Sequence, residues 1–453
     1  FTILGFFIII GIVASVSSVE KKAITKNSVL VIDASEAFLE QSKNDPFSEL
    51  MSKKNGKTPS LSELVGLINF AKTDSAIKGI YIKCTENPNG YAASDEIRNA
   101  LIDFKKSKKF IVAYGETMTQ KGYMIGNVAD HIYIHPNGGL EWNGFNYETM
   151  FLKGLLDKLE IKPQVFYAGK FKSATEPFRA TKMSDPNRLQ LATIQNHLWN
   201  IYTNDVALSR NLSPAAINSI AVNAQAQNAQ DALNLKLVDQ LYYWDEVEIL
   251  LMKKTKAANL KAINYVMMND YVSQLDFDNA ESKNKIAVLY AEGEIIDGKQ
   301  TDENQVASTT MVEEIRKIAN NDKIKAVVLR INSPGGSALA SEIMLRELQL
   351  LKKKKPLIVS MGDVAASGGY YIACNANKIF AEKSTITGSI GVFGILPNFT
   401  QLATKMGIHT QQLKTNENAA EYSPFVPMDE KFKAVTLESV ENVYKTFISH
   451  VAS

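Results

Sequence analysis

The sequence predicts an α/β chain of two tandem βα domains, each on a largely parallel sheet, preceded by an N-terminal transmembrane helix. Three observations carry that prediction. The chain is written twice: Lys325-Ala-Val-Val-Leu-Arg-Ile-Asn-Ser-Pro-Gly-Gly echoes Lys78-Gly-Ile-Tyr-Ile-Lys-Cys-Thr-Glu-Asn-Pro-Asn, Met361-Gly-Asp-Val-Ala-Ala-Ser-Gly-Gly-Tyr echoes Tyr114-Gly-Glu-Thr-Met-Thr-Gln-Lys-Gly-Tyr, and Ser423-Pro-Phe echoes Glu176-Pro-Phe, each pair 247 residues apart. Within each copy, apolar runs of strand length alternate with stretches of helical periodicity, the pattern of βα units. Finally, Phe1 to Val19 carries no charge and is long enough to cross a bilayer.

The apolar segment ends at Glu20, Lys21 and Lys22. An uncleaved signal anchor over residues 1–19 is the first reading; a cleavable signal peptide is the alternative, because Ala14-Ser-Val-Ser-Ser offers small residues. A start at Phe rather than Met implies residues upstream. The first copy spans residues 27–245. It reads as strand Ser28–Asp33, a helix opened by the capping box Ser60-Leu-Ser-Glu63, strand Gly79–Lys83, helix Ser94–Phe104, strand Phe110–Ala113, helix Gly122–Val128 and strand Ile132–Ile134. Then follow a helical stretch at Leu155–Leu159, strand Gln164–Tyr167 and a long helix Asn187–Leu208. Ala232-Leu-Asn-Leu-Lys-Leu-Val-Asp239 closes the copy.

Residues 246–285, charged and mixed, read as a connector. The second copy, residues 286–453, opens with strand Ile286–Tyr290 and a second capping box, Thr310-Met-Val-Glu313. Strand Ala326–Ile331, helix Ser341–Leu351 and strands Leu357–Ser360 and Lys378–Ala381 follow. Ser453 aligns with Val206, so the counterpart of residues 207–245 is expected beyond it, and the second copy reads as C-terminally truncated.

Bulk chemistry excludes several classes. The 50 basic and 48 acidic residues leave a net charge of +2, and no basic domain stands out, so nucleic acid is not the expected partner. The densest basic run, Lys352 to Lys355, ends a helical stretch before Pro356 and reads as a solvated helix end. The two cysteines, Cys84 and Cys374, sit in apolar strand-like and helix-like contexts and imply buried thiols rather than a disulfide framework. His131 and His135 flank a strand, and no metal-ligand spacing or cofactor motif is present.

The chemistry is divided between the copies. In the shared register Ser367 lies opposite Gln120, and Lys172 lies opposite Ala419. Ala365-Ala-Ser-Gly-Gly-Tyr370 follows a strand and begins a helix, where a serine hydroxyl stands beside free backbone amides and the Gly368 amide can donate to an oxyanion. An N-cap serine with two packing glycines is the alternative. Asn332-Ser-Pro-Gly-Gly-Ser337 also follows a strand; its glycine amides suit the second half of an oxyanion hole, or the loop is a plain turn. No histidine lies where it would partner Ser367. A desolvated lysine can serve as base instead, and Gly169-Lys-Phe-Lys supplies Lys170 and Lys172; lysine there also fits an ordinary solvated role.

Asp363-Val-Ala-Ala-Ser-Gly-Gly-Tyr, Asn332-Ser-Pro-Gly-Gly, Thr387-Gly-Ser-Ile-Gly and Phe171-Lys-Ser-Ala-Thr-Glu-Pro-Phe, in that combination, resemble the signal peptide peptidase A (protease IV) family in its long, duplicated, membrane-anchored form. The resemblance covers nearly the whole chain. It implies the Clp protease/crotonase-like fold in both copies and a Ser/Lys dyad that degrades signal peptides and other short or unfolded peptides, with no cofactor and no metal. By the same resemblance Ser367 is the nucleophile, Lys172 the general base and acid, and Ser389 the residue that orients the lysine. The amides of Gly368 and Gly336 form the oxyanion hole, with Gly335 a neighbour, and Lys170 is a bystander. It further implies a homo-tetramer and a single-pass protein of the cell inner membrane with its catalytic domains on the exported, periplasmic side. In the first copy Glu86-Asn-Pro-Asn-Gly90 replaces the glycine loop and Gln120 replaces the serine, so that half reads as support. The competing classes are a crotonase-like acyl-CoA enzyme, which would need a nucleotide site, and an inactive protease-fold scaffold, which would leave Ser367 unreactive.

Overall fold

The computed structural model describes residues 24–41, 58–273, 282–302, 304–416, 419 and 422–453. The expected anchor, residues 1–19, lies outside them. Among the described residues no helix is long and apolar enough to cross a membrane. The described residues within Phe1–Gly144 and Ile201–Glu281 form one compact unit, and those within Phe145–Asn200 and Ser282–Ser453 form a second. The division departs from the two sequence copies, because residues 145–200 of the first copy belong with the second.

In the first unit, strands β1 (Ser28–Asp33), β2 (Ile77–Lys83), β3 (Phe110–Gly115) and β4 (His131–Ile134) follow the expected alternation. The next strand along the chain, β5 (Gln164–Ala168), belongs to the second unit. Strands β6 (Gln240–Leu241) and β7 (Tyr265–Met267) complete a parallel sheet of order β6-β4-β3-β2-β1-β7. Its strands are apolar on both faces, as a parallel sheet covered on both sides requires. One face, with Val31, Tyr81, Val112 and Tyr133, packs against Val247 and Leu251 of the helix Trp244–Thr255. That helix and β7 lie in the stretch expected to be a connector. Its mixed composition is that of an amphipathic cover, apolar inward and charged outward. The capping box at Ser60 forms: the Glu63 amide donates to Ser60 Oγ at 3.2 Å, and the Ser60 amide to Glu63 Oε2 at 2.7 Å. Lys236 adopts a left-handed φ of 61°, the conformation a turn glycine would relieve.

The second unit holds β8 (Lys285–Glu292), β9 (Glu294–Ile296), β10 (Gln305–Ala307), β11 (Ile324–Ser333), β12 (Leu357–Ala366), β13 (Lys378–Phe380), β14 (Ile386–Gly388) and β15 (Val392–Leu396). The main sheet runs β13-β12-β11-β8 in parallel, and β14 pairs with the far end of β12. Val327, Leu329, Val359 and Met361 pack against Met344 and Leu348 of the helix Ala338–Lys352. Strand β12 extends through Ala366, well past the Ser360 expected from sequence, with a register shift against β11 between Ile331 and Ser333. Polar Gly362 and Asp363 conceal that continuation in an apolar scan.

Two expectations are corrected here. Thr310 does not cap a helix: the helix Ser308–Ala319 starts directly from β10, and the Thr310 hydroxyl accepts from the Gln300 amide at 3.1 Å. The Lys352–Lys355 run is not simply solvated. Lys355 is buried, and its ammonium donates to the carbonyls of Ile318 and Asn321, each at 2.6 Å, at the end of that helix. Lys109 does the same in the first unit, donating to Ala71 and Asp74 at 2.6 Å. The helix ends carry partial negative charge and unpaired carbonyls, so a cation belongs there. The acceptors obey the 247-residue spacing, whereas the donors are 246 apart. The strand pairing slips with them: Gly79 faces Phe110, but Val327, not Ala326, faces Leu357.

Candidate active site

Ser367 sits where β12 ends and the short helix Gly368–Ala373 begins. Its backbone is held at φ 54° and ψ −117°, a conformation non-glycine residues avoid, and its amide donates to the Gly388 carbonyl at 2.9 Å. The turn is tight on all sides. A Cβ on Gly368 would lie 2.6 Å from Ser341 Oγ, and one on Gly369 would lie 2.6 Å from the Ser333 carbonyl. Both glycines therefore answer to close packing, Gly368 against a side chain and Gly369 against backbone, and the serine is not a side-chain cap of its helix.

Lys172 arrives from the far side of the sequence. Strand β5 pairs antiparallel with β15, Ala168 opposite Val392, and Gly169 at φ 107° turns the chain sharply so that the Lys172 amide bonds back to the Gly169 carbonyl at 3.1 Å. Gly391 leaves room for the lysine stem, since a Cβ there would meet Lys172 Cβ and Cδ at 3.0 Å. The loop is anchored by buried Glu176, which accepts from Ser184 Oγ at 2.5 Å and from Asn187 Nδ2 at 2.8 Å. Burial alone would raise that carboxyl; these hydrogen bonds outweigh it and hold the pKa below the ordinary value.

The Lys172 amine lies 3.0 Å from Ser367 Oγ, 3.1 Å from Ser389 Oγ and 3.1 Å from the Ser389 carbonyl. All three partners are neutral oxygens. Lys172 is 7% exposed, and loss of hydration lowers its pKa from 10.5 to about 8. A neutral amine has two hydrogens and one lone pair. The Ser389 carbonyl can only accept, so the two Ser389 oxygens can take both hydrogens while the lone pair faces the Ser367 hydroxyl. Ser389 holds its own strained backbone, φ 50°.

The glycine loop stands beside the serine. Ile295 brackets Gly336: its amide donates to the Gly335 carbonyl, and its carbonyl accepts from the Ser337 amide, each at 2.8 Å. That ladder leaves the Gly336 amide without a partner among the described residues, as the first-turn position leaves Gly368. Gly335 at φ 96° admits no side chain, because a Cβ would lie 2.5 Å from the Gly368 amide nitrogen. In the sequence Ser333 is only a member of the Asn332-Ser-Pro-Gly-Gly motif. Its buried hydroxyl donates to the Gly293 carbonyl at 2.6 Å and accepts from the Gly335 amide at 3.2 Å, tying the loop to the preceding turn. Asn332 Oδ1 accepts from the Val364 amide at 3.2 Å and links the loop to β12. Polar residues just before a Gly-Gly turn were the available signal. Lys170 is exposed, its ammonium 5.7 Å from the Phe171 ring.

The corresponding place in the first copy is closed. Gln120 Oε1 accepts from the Asn143 and Gly144 amides, each at 2.8 Å, and Nε2 donates to the Gly144 carbonyl at 2.9 Å. Asn87 ties up the neighbouring loop, donating to Ser94 Oγ at 2.8 Å and accepting from the Asn89 amide at 3.0 Å.

Comparison with known proteins identifies the family. The model of peptidase family S49 matches residues 103–259 and 349–453, and that of the Clp protease family matches residues 277–389. The chain is 33% identical to Protease 4 of Haemophilus influenzae across 99% of its own length and 76% of that protein's. It is 36% identical to Protease 4 of Salmonella typhi, covering 87% of this chain and 64% of the relative. It is 31% identical to the chloroplastic serine protease SPPA of Arabidopsis thaliana, covering 86% and 58% respectively. The chain thus spans between somewhat over half and three quarters of these relatives. Among solved structures, a membrane-bound stomatin-specific protease aligns over 54% of this chain and 94% of its own, at 14% identity and a TM-score of 0.28. The molecule is a serine peptidase built on α/β units with parallel sheets. The chain belongs to peptidase family S49.

Proposed function

We propose that the chain is a membrane-anchored serine endopeptidase in which Ser367 is the nucleophile and Lys172 its general base. One observation carries the reading: the buried amine of Lys172 lies 3.0 Å from Ser367 Oγ, with neutral partners only. Neutral Lys172 takes the hydroxyl proton as Ser367 Oγ attacks a peptide carbonyl. The oxyanion accepts from the amides of Gly368 and Gly336, where removing one donor typically costs about 3 kcal/mol of transition-state stabilisation. The ammonium then gives its proton to the leaving amine, and water, deprotonated by the same amine, releases the acyl group. Ser389 orients the amine and makes no bond to substrate.

In this reading two degenerate copies of one domain divide the work. The earlier sends its lysine-bearing segment to the later, and the closed pocket at Gln120 is purely structural. The substrates are signal-peptide remnants and other short or unfolded peptides, held near the membrane by the apolar segment at residues 1–19. The Phe393 ring, 5.7 Å from the Lys172 amine and 44% exposed, supports an apolar substrate segment. The test is labelling by a fluorophosphonate together with cleavage of an apolar peptide in detergent. Wild-type protein reacts at one site and cleaves, and Ser367→Ala does neither. Labelling that persists in Ser367→Ala removes the assignment.

A further inference from the structure

The glycine loop and the nucleophile each lead into a helix, and one carboxylate ties those two helices together. Gly336 stands one residue before Ser337, the cap of the helix Ala338–Lys352, and Gly368 begins the helix Gly368–Ala373. The second helix has six residues, too few to hold a position by its own hydrogen bonds. Its Tyr371 amide bonds to the Ser367 carbonyl at 2.9 Å, so a shift of Tyr371 moves the nucleophile. The Tyr371 hydroxyl donates to Glu342 Oε2 on the longer helix, and His450 Nε2 lies 2.9 Å from the same oxygen. The carboxylate only accepts, so that imidazole nitrogen carries the proton. Burial and the neighbouring Glu342 push the phenol well above its ordinary pKa, which keeps it a donor.

His450 belongs to the C-terminal helix Glu430–Ala452. Its own carbonyl accepts from Asn375 Nδ2 at 2.9 Å, just past the end of the helix that Gly368 begins. Phe447 packs with Leu345 and Tyr371, its ring centre 4.6 Å from that of Tyr371, and Ile390, next to Ser389, joins that cluster. The C-terminal helix also packs against β5, which leads to Lys172, and β15, which follows Ser389. The first copy lacks this arrangement. Displaced by 247 residues, Tyr371 becomes Met124 and His450 becomes Thr203, and only Glu342 keeps a carboxylate, as Asp95. There the buried Arg98 ties the equivalent helices, donating to the Met124 carbonyl and, at 2.7 Å, to Asn127 Oδ1. The phenol and the imidazole accompany the open glycine loop and are missing where the pocket is closed.

We propose that Glu342 is a positioning residue for the oxyanion hole: through the Tyr371 hydroxyl and the His450 imidazole it fixes the spacing of the Gly336 and Gly368 amides. The inference rests on Ser367 as the nucleophile and adds the group that sets the geometry around it. Removing an oxyanion donor outright costs about 10²–10³-fold in kcat, and displacing one by loosening its helix costs less, about tenfold.

The test uses the full chain in detergent with an apolar fluorogenic peptide. Tyr371→Phe keeps the ring against Phe447 and removes only the hydroxyl. It lowers kcat about tenfold with KM little changed. Inhibition by a peptide aldehyde, whose hemiacetal oxygen occupies the oxyanion hole, weakens by a similar factor. Glu342→Leu matches this loss, and combining the two substitutions adds nothing further. Glu342→Gln restores kcat to within about threefold of wild type, because its amide oxygen accepts from Tyr371 and its amide nitrogen donates to His450 in the other tautomer. If Glu342→Leu fails to fold, Tyr371→Phe decides alone. A Tyr371→Phe protein with kcat within about twofold of wild type, a change in KM alone, or a Glu342→Gln protein as slow as Glu342→Leu overturns the proposal. Ser367→Ala protein that still takes up fluorophosphonate removes the nucleophile reading and this inference with it. Unlabelled Ser367→Ala beside Tyr371→Phe of wild-type kcat defeats the positioning role alone.

Discussion

Replacing Lys172 by methionine separates catalysis from stability with opposite signs. Methionine matches the stem in length and leaves out the charge. Burial moves the amine from 10.5 to about 8, which corresponds to about 3 kcal/mol against the charged form at neutral pH. At pH 7 about one molecule in ten then carries a neutral amine, about 300-fold more than for a fully hydrated lysine. Loss of the base lowers kcat/KM for peptide cleavage by about 10²–10⁴-fold. Stability moves the other way. Below pH 8 the folded wild type bears the full cost of burying an ammonium. Between about pH 8 and 10.5 the unfolded chain still binds the proton that the folded chain has released, so wild-type stability rises with pH relative to the variant. The three hydrogen bonds lost with the amine, each worth about 0.5 kcal/mol, offset part of the gain, leaving Lys172→Met more stable by on the order of 1–2 kcal/mol at pH 7. That advantage disappears near pH 9 and reverses toward pH 10.5, where the wild type is the more stable. The assays are initial rates on a fluorogenic peptide and urea midpoints of both proteins at pH 7, 9 and 10.5. More than a tenth of wild-type activity in the variant, or a midpoint difference that stays flat across this range, refutes the reasoning.

Three further outcomes follow from the same geometry. In wild type, kcat/KM rises with pH along a single limb centred near 8, because only the neutral amine accepts the serine proton; a profile flat from pH 6 to 10 contradicts a lysine base. Gly336→Ala places a Cβ 2.0 Å from the Ile295 carbonyl and should lower kcat by about 10²-fold or more with KM little changed, read in steady-state kinetics. Lys355→Ala removes two 2.6 Å bonds to helix-end carbonyls and should destabilise the second unit by about 1–3 kcal/mol, seen as a lower urea midpoint, without altering the pH limb of activity.

Much of this protein is set by its sequence alone. Periodicity gives the strands and helices of both copies because local apolar pattern and backbone preference act over a few residues. The capping box at Ser60 is legible for the same reason, and the doubled motifs give the spacing that relates the copies. What a local reading misses depends on neighbours far away in sequence. Thr310 looks like a cap, but β10 runs straight into its helix and moves the start. The lysine run looks solvated until the end of the helix Ser308–Ala319 is folded against Lys355. Strand β12 looks finished at Ser360, although pairing with β11 and then β14 carries it on to Ala366. The chain division cuts across the copies because β5 finds its partner in β15, more than 200 residues away. Sequence supplies an amine and a hydroxyl of the right types. Only the tertiary structure places them 3.0 Å apart and strips the water from the amine, since both distance and hydration are properties of packed surroundings and not of any residue by itself.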